Sequence, residues 1–427
     1  MIKKILKKII PDFVFSWYHF CLAYLGAGIY GFPSRKMFVI GVTGTKGKTT
    51  TCNLLFQILN GAEMKAGMAT TVNFGIGDKL WINSYKQTML GRFRLQKLLS
   101  RMASEGCKYA VIETSSEGIL QHRHRAIDYS AAILTNVSPE HIERHGSFEN
   151  YRSEKLKLFE KVAKKENGTG IYNLDDRNID FFLEPKIKNK YGFVKNAMGT
   201  PPSQEFKKVL QISDIELPPA KTAFVMAGQK FEMPLIGEFN VYNAAAAICF
   251  GLSQEISAEK IKNILVNAKP APGRMEIINE GQPFTIVVDY AHEPASLEAV
   301  YKSLKIFNPN KIIAVLGSQG GGRDKAKRPI LGSLAGSYAD VVIITNEDPY
   351  DEDPEKIIND VALGVANKDK IIKIIDRREA IKKSLKLASS GDIVVITGKG
   401  GEISMCVENG RKIPWKDSKI IEEELKK

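Results

Sequence analysis

The chain has 427 residues, 44% of them hydrophobic and 26% charged, with a formal net charge of +13. That composition excludes a disordered or low-complexity protein, and the length calls for more than one hydrophobic core. The five cysteines, Cys21, Cys52, Cys107, Cys249 and Cys406, are scattered, with no CxxC or Cys/His spacing, which excludes a disulfide scaffold or zinc ribbon and suits a reducing cytoplasm. Positive charge falls in short runs at Lys3 to Lys8, Lys155 to Lys165 and Lys186 to Lys190, so anionic small substrates explain it better than a nucleic acid does.

Residues 1–36 form a short basic and apolar N-terminal segment. MIKKILKKII precedes a mostly apolar run from Phe13 to Phe32, which resembles a signal anchor in its order of charge and apolarity. Ser16, His19, paired glycines and several Tyr and Trp residues weaken it as a membrane span. Three readings stand: a helix docked on the protein's own core, a helix lying on a membrane surface through residues 1–32, or a true span. No Ala-x-Ala cleavage site follows, so a cytoplasmic chain, peripheral at most to the inner face of the membrane, is expected.

Residues 37–269 read as an α/β domain with a mostly parallel sheet. The apolar runs MFVIGV, YAVIET and AAILTNV alternate with amphipathic stretches at Phe93 to Ser104 and Glu149 to Lys164. The first run leads into GVTGTKGKTTT, a strand, glycine loop and helix in succession, which is how a chain cradles phosphate. Gly44 and Gly47 allow close approach to phosphate oxygens, Lys48 would neutralise the terminal phosphates, and Thr49 would hold Mg²⁺. Only Thr45 and Lys46 stand between Gly44 and Gly47, a tighter spacing than the usual P-loop. The stretch from Asn167 to Glu232 suggests an antiparallel extension.

AKPAPGRME marks a linker, and residues 270–427 read as a second, Rossmann-like α/β unit. Its strands are TIVVDYA, KIIAVLG, DVVIIT and DIVVIT, and ligands bind beyond the carboxyl ends of such strands. His292, Gly317 to Asp324, Asn346 to Pro349 and Gly398 to Glu402 lie there. In the first domain, Glu113 and His141 could join the phosphate loop, although each in isolation reads as an ordinary surface carboxylate or capping histidine. Lys155 in isolation reads as a solvated helix lysine.

The ordered blocks GTKGKTT, ETSSEG with QHR, TNVSPEHIERHG, YRSEK, GEFNVYN, PGRME, VVDYAHEPASL, GGGRDKAKRP and GKGGE resemble the Mur ligase family over residues 37 to 427, with a central P-loop-type ATPase domain. They are most similar to the branch that adds the third amino acid to UDP-N-acetylmuramoyl-dipeptide. The resemblance implies amide-bond formation with ATP and Mg²⁺ through an acyl phosphate. It implies that Gly44, Thr45, Lys46, Gly47, Lys48, Thr49 and Thr50 hold the nucleotide, with Asn243, Arg274, Asp289 and His292. Thr49, Glu113, His141 and a CO₂-derived carbamate on Lys155 would hold metal, and Lys48, Glu113, His141 and Lys155 would carry catalysis. Thr88, Ser115, Gln121 and Arg123 would hold the muramoyl dipeptide. Asn346, Glu347, Asp348, Pro349, Gly398 and Glu402 would receive the amino acid.

Departures accompany the resemblance. Lys46 replaces the family's usual Asn, Glu117 a frequent His, and Gly401 another His. Asn346 to Tyr350 lacks the arginine found in ligases for meso-diaminopimelate, and acidic Glu347 and Asp348 suit a basic side chain such as lysine or ornithine. Only about 36 residues precede the ATPase domain in this sequence, so a counterpart of the family's uridine-gripping N-terminal domain is not expected among them. Two alternatives remain: a related ligase with a folylpolyglutamate- or cyanophycin-like acceptor, and a non-catalytic, membrane-associated ATP-binding scaffold.

Overall fold

The computed structural model describes residues 12–427 apart from 86, 141, 196–204 and 220. The chain divides into two compact units. The first comprises residues up to Glu216, Thr222–Pro234 and Glu238–Ala268, and the second comprises Leu217–Lys221, Leu235–Gly237 and Lys269–Lys427.

The first unit opens with α1 (Asp12–Ile29), then β1 (Phe38–Thr43), α2 (Lys48–Gly61), β2 (Ala66–Ala69), β3 (Asn73–Ile76), β4 (Lys79–Ile82) and α3 (Arg92–Ser104). β5 (Tyr109–Glu113), α4 (Ser116–Leu120), β6 (Tyr129–Leu134) and α5 (Phe148–Ala163) follow. β7 (Thr169–Asn173), β8 (Asn189–Val194), β9 (Lys208–Glu216), β10 (Thr222–Met226), β11 (Gln229–Met233), α6 (Glu238–Ser253) and α7 (Ala258–Leu265) complete it. Eleven strands form one mixed sheet in the order β11-β10-β9-β8-β7-β6-β1-β5-β2-β3-β4. β1 pairs in parallel with β5 and β6, and its residues from Val39 to Thr43 are buried, as a strand covered on both faces requires.

The antiparallel extension is shorter than its sequence suggests. β7 and β8 continue the parallel sheet, β9 joins β8 in parallel, and only β9, β10 and β11 pair antiparallel among themselves on that side. The Lys- and Asn-rich connections disguise this, because TGIYN is buried throughout while the polar residues around it sit in turns.

On α1 the small residues Ala23, Gly26 and Ala27 are buried, and a Cβ added at Gly26 would lie 3.5 Å from Phe93 Cα in α3. The helix therefore docks by its small-residue face. Among the described residues no helix is long and apolar enough to cross a membrane.

The second unit runs β12 (Glu276–Ile278), β13 (Thr285–Asp289), α8 (Pro294–Leu304), β14 (Ile312–Leu316), α9 (Lys327–Tyr338), β15 (Val341–Ile344) and α10 (Pro354–Leu363). It ends with β16 (Ile371–Lys373), α11 (Arg377–Leu387), β17 (Ile393–Thr397), β18 (Ser404–Cys406), β19 (Lys412–Pro414) and α12 (Asp417–Leu425). Its main sheet has the order β12-β13-β17-β14-β15-β16, parallel except for the β12 edge. Alternate residues of the parallel strands feed two separate cores, Val287, Ala314 and Val395 in one and Ile286, Ile313 and Val394 in the other. That is the burial pattern of a sheet covered by helices on both faces.

Candidate active site

The loop after β1 has no room for side chains at two positions. Gly44 has φ 151° and Gly47 φ 81°, and a Cβ would fall 1.9 Å from Thr135 Oγ1 or 2.0 Å from Asn243 Oδ1 respectively. Gly47 is the N-cap of α2, no side chain caps that helix, and its first turn carries no acid. Open N–H groups and the positive end of the helix dipole make this a seat for phosphate. Lys48 Nζ donates to the carbonyls of Gly44 at 3.0 Å and Thr45 at 2.8 Å, so it lies over the loop. Thr45 Oγ1 shares a hydrogen bond with Tyr151 Oη at 3.1 Å and accepts from Ser138 N at 3.0 Å. Lys46 pairs its ammonium with Glu140, so the extra charge that the sequence brings to this loop is compensated locally.

Beneath the loop, Thr49 Oγ1 donates to Glu113 Oε2 at 3.0 Å, and the same oxygen accepts from Thr71 N at 2.8 Å. Thr49 and Glu113 are buried, and Thr50 beside them is too. Lys155 is only 1% exposed. Its Nζ donates to Gly44 O at 2.6 Å and lies 4.4 Å from the centre of the Tyr151 ring. Burial, followed by the nearby Lys48 charge, holds its pKa well below that of an ordinary lysine. A loop, a hydroxyl, a carboxylate and an uncharged-leaning amine are thus gathered within one unit. His141 lies outside the described residues. Asn243 donates from Nδ2 to Asn240 Oδ1 at 3.0 Å, with its own Oδ1 against Gly47.

The residues expected at the acceptor form a neighbouring chain of contacts. Thr71 Oγ1 donates to Thr88 Oγ1 at 3.1 Å, and Ser115 caps α4 by accepting from Gly118 N at 3.1 Å. Arg123 donates to Gln121 Oε1 at 2.7 Å and to Met89 O. Arg92, which the sequence reading did not single out, donates to Gln121 O beside it. The Nε atoms of Arg92 and Arg123 are buried with no partner, and neither guanidinium pairs with a carboxylate among the described residues. Burial and then the Arg123 charge bring Arg92 down to about 10. Glu117 acts on Arg123 only through space, so two cations held together without an ion pair can receive an oxyanion.

The second unit carries its own cluster. Lys399 Nζ, fully buried, donates to Asp348 Oδ1 at 2.8 Å, Glu402 Oε2 at 2.5 Å and Ser404 O at 2.8 Å. Cys406 N adds a bond to Asp348 Oδ1 at 2.7 Å, so Asp348 is occupied inside the protein. Glu347 is equally buried, yet both its carboxylate oxygens lack a hydrogen-bond partner among the described residues. That carboxylate lies over Gly398, whose φ of 102° and lack of a Cβ leave room for it. Burial pushes Glu347 up to about 7, Asp348 adds to the rise, and Lys399 opposes it. Asn346 O accepts from Arg377 at 3.2 Å, and the Pro349 carbonyl lies against Gly320. Asp289 accepts from Met275 N and Ala291 N, both at 2.7 Å, His292 Nδ1 meets Tyr290 O at 2.8 Å, and Arg274 stacks on the Tyr290 ring at 4.6 Å. Lys399 is a second residue that the sequence reading missed, although GKGGE contains it.

Two family profiles match the chain: the Mur ligase middle domain over residues 42–251 and the Mur ligase glutamate ligase domain over residues 273–400. A UDP-N-acetylmuramoyl-L-alanyl-D-glutamate--2,6-diaminopimelate ligase of Geobacillus thermodenitrificans is 34% identical over 391 residues, covering 89% of this chain and 77% of the relative. This chain belongs to the Mur ligase family. A UDP-N-acetylmuramyl-tripeptide synthetase of Borreliella afzelii is 36% identical over 402 residues, covering 92% and 77% of the two chains. A solved structure of a UDP-N-acetylmuramoyl-L-alanyl-D-glutamate--2,6-diaminopimelate ligase superposes with a TM-score of 0.62 at 31% identity, covering 91% of this chain and 78% of that one. Use of ATP and Mg²⁺ is typical of the Mur ligase family. The chain's buried Thr49 and Glu113 are an all-oxygen pair of the kind Mg²⁺ takes from protein. Among the described residues no group of three or more His, Cys, Asp or Glu side chains could hold a metal ion.

Proposed function

We propose that the chain joins the amino group of an amino acid to a carboxylate of UDP-N-acetylmuramoyl-L-alanyl-D-glutamate at the expense of ATP, a step of peptidoglycan precursor synthesis. The observation that carries this reading is the buried Lys155 directed at the phosphate loop. A loop that only bound nucleotide would not need an amine desolvated at that point. In the reaction, the acceptor carboxylate attacks the γ-phosphorus and ADP leaves, giving an acyl phosphate. The amine then adds to the acyl carbon, the tetrahedral intermediate expels phosphate, and the amine loses a proton. Carboxylates are inert to amines at neutral pH, so ATP supplies the leaving group, and catalysis rests on positioning and charge neutralisation.

Gly44 to Thr50 cradle the phosphates as a P-loop-type ATPase, with Lys48 on the terminal phosphates. Thr49, Glu113, His141 and Lys155 serve the metal, which when bound neutralises developing phosphate charge. A neutral Lys155 amine can add to CO₂ and release a proton, becoming an oxygen donor in place of a cation. Asn243, Arg274, Asp289 and His292 keep their proposed roles toward the nucleotide, the last three from a Rossmann-like unit. Thr88, Ser115, Gln121 and Arg123, joined by Arg92, hold the acceptor. Glu347, unpartnered and buried, receives the side-chain ammonium of a basic amino acid, while Lys399, Asp348 and Glu402 fix the wall around it. ATP supply places the work in the cytoplasm.

The test is amino-acid-dependent phosphate release with ATP, Mg²⁺, bicarbonate and the UDP-linked dipeptide, across lysine, ornithine, meso-diaminopimelate and neutral amino acids, with product masses. A single tripeptide product from a basic amino acid is expected. Turnover only with a different acceptor, such as a folate, would replace the muramoyl reading. Arg92→Gln in the same assay should raise the acceptor KM about tenfold and leave the ATP KM alone. An unchanged acceptor KM would remove Arg92 from the acceptor site.

A further inference from the structure

Among the described residues, the face of α1 opposite its small-residue stripe is exposed. Val14 is 40% exposed, Trp17 66%, Tyr18 58%, Leu25 55% and Ile29 63%, and these positions recur at helical spacing along the outer side. Large apolar residues gathered on one helix face call for an explanation that scattered ones do not. Residues 1–36 hold six basic residues, Lys3, Lys4, Lys7, Lys8, Arg35 and Lys36, against the single acid Asp12, a net charge of +5. Arg35 and Lys36 are exposed just past the end of the helix.

We propose that α1 is an interfacial anchor that lays its Trp17, Leu25 and Ile29 face into the surface of an anionic lipid bilayer. Trp and Tyr rings suit the headgroup level, apolar side chains between them enter the acyl boundary, and flanking Lys and Arg draw the segment to negative lipid. The opposite face is already committed, since Ala23, Gly26 and Ala27 pack on α3. A span would strip that face away, whereas an in-plane helix keeps it. A second copy of the chain on this face would bring two segments of net +5 together, which favours lipid over self-association. The inference goes beyond the proposed reaction and needs none of its substrates.

The experiment is co-sedimentation of the full chain with vesicles of phosphatidylglycerol and phosphatidylcholine, compared with phosphatidylcholine alone. Trp fluorescence is read in parallel. Binding about tenfold stronger to the anionic vesicles, weakened by salt, with a blue shift of Trp emission, is expected. The combined variant Trp17→Ser, Leu25→Ser and Ile29→Ser should lose this binding while ATP binding remains, which shows that the unit is still folded. Equal binding to both vesicles, no binding to either, or a concentration-dependent dimer abolished by the same variant would each overturn the anchor. All readouts stand without acceptor or amino acid, so failure of the ligase reading would leave them interpretable.

Discussion

Replacing Lys155 with alanine is expected to reduce amide formation about a thousandfold, the scale seen when a fixed charge-stabilising group is lost. The loss would follow from position rather than from fold, because Lys155 meets the phosphate loop through Gly44 O and lies beside Lys48. A lysine at 1% exposure between another lysine and a phosphate seat is poorly placed for stability, which points to a role in chemistry. Alanine also opens a cavity, which gives the test its second arm. Acetate or formate should restore part of the activity to Lys155→Ala by supplying a carboxylate where the carbamate would stand. Lys155→Met fills the space, should keep ATP binding, and should not be rescued. Removing CO₂ from the buffer should slow the native enzyme and leave the acetate-rescued variant unaffected. Full activity of Lys155→Ala without acid, or of Lys155→Met, would end the carbamate proposal.

Local sequence grammar carried the phosphate loop because its constraint is local. Two glycines that no other residue can replace sit between a buried strand and a helix start, and all three lie within a dozen residues. The strands of the second unit were legible for the same reason, as uninterrupted β-branched runs. Lys155 shows where such reading fails. Its type argues for solvent, yet its spacing places it with Tyr151, Leu158, Phe159 and Val162 on the buried stripe of α5. Periodicity was the usable signal, and residue identity masked it. Asp348 and Glu347 failed differently, since adjacent acids look alike in sequence. Only the fold assigns one to Lys399 and Cys406 and leaves the other without a partner. Arg92 became visible only when folding brought it to Arg123, a neighbour thirty-one positions away by number. At α1, docking of the small face was one of three open readings, and nothing local could have chosen among them.

The ionisation of Glu347 should govern amino-acid recognition and its pH dependence. Glu347 titrates near 4.5 when unfolded and near 7 when folded, because burial disfavours its charge more than Lys399 favours it. Its folded pKa is raised, so the native state holds a proton that the unfolded state has lost between those values. The associated stability is complete below about 4.5 and is lost as pH rises through about 7. At 1.36 kcal/mol per pH unit, the difference is on the order of 3 kcal/mol at most. Glu347→Gln, neutral at every pH, should flatten this part of the stability profile and match or exceed the native protein above neutrality in denaturant unfolding. Binding reverses the preference. An incoming ammonium favours the ionised carboxylate, so the native KM for a basic amino acid should fall as pH rises from below to above 7. Glu347→Gln should raise that KM at least tenfold at high pH, erase its pH dependence, and leave the ATP KM unchanged. If the variant kept the native KM profile, the ammonium would have to be held elsewhere, and the unpartnered carboxylate would be a structural burden with no part in amino-acid choice.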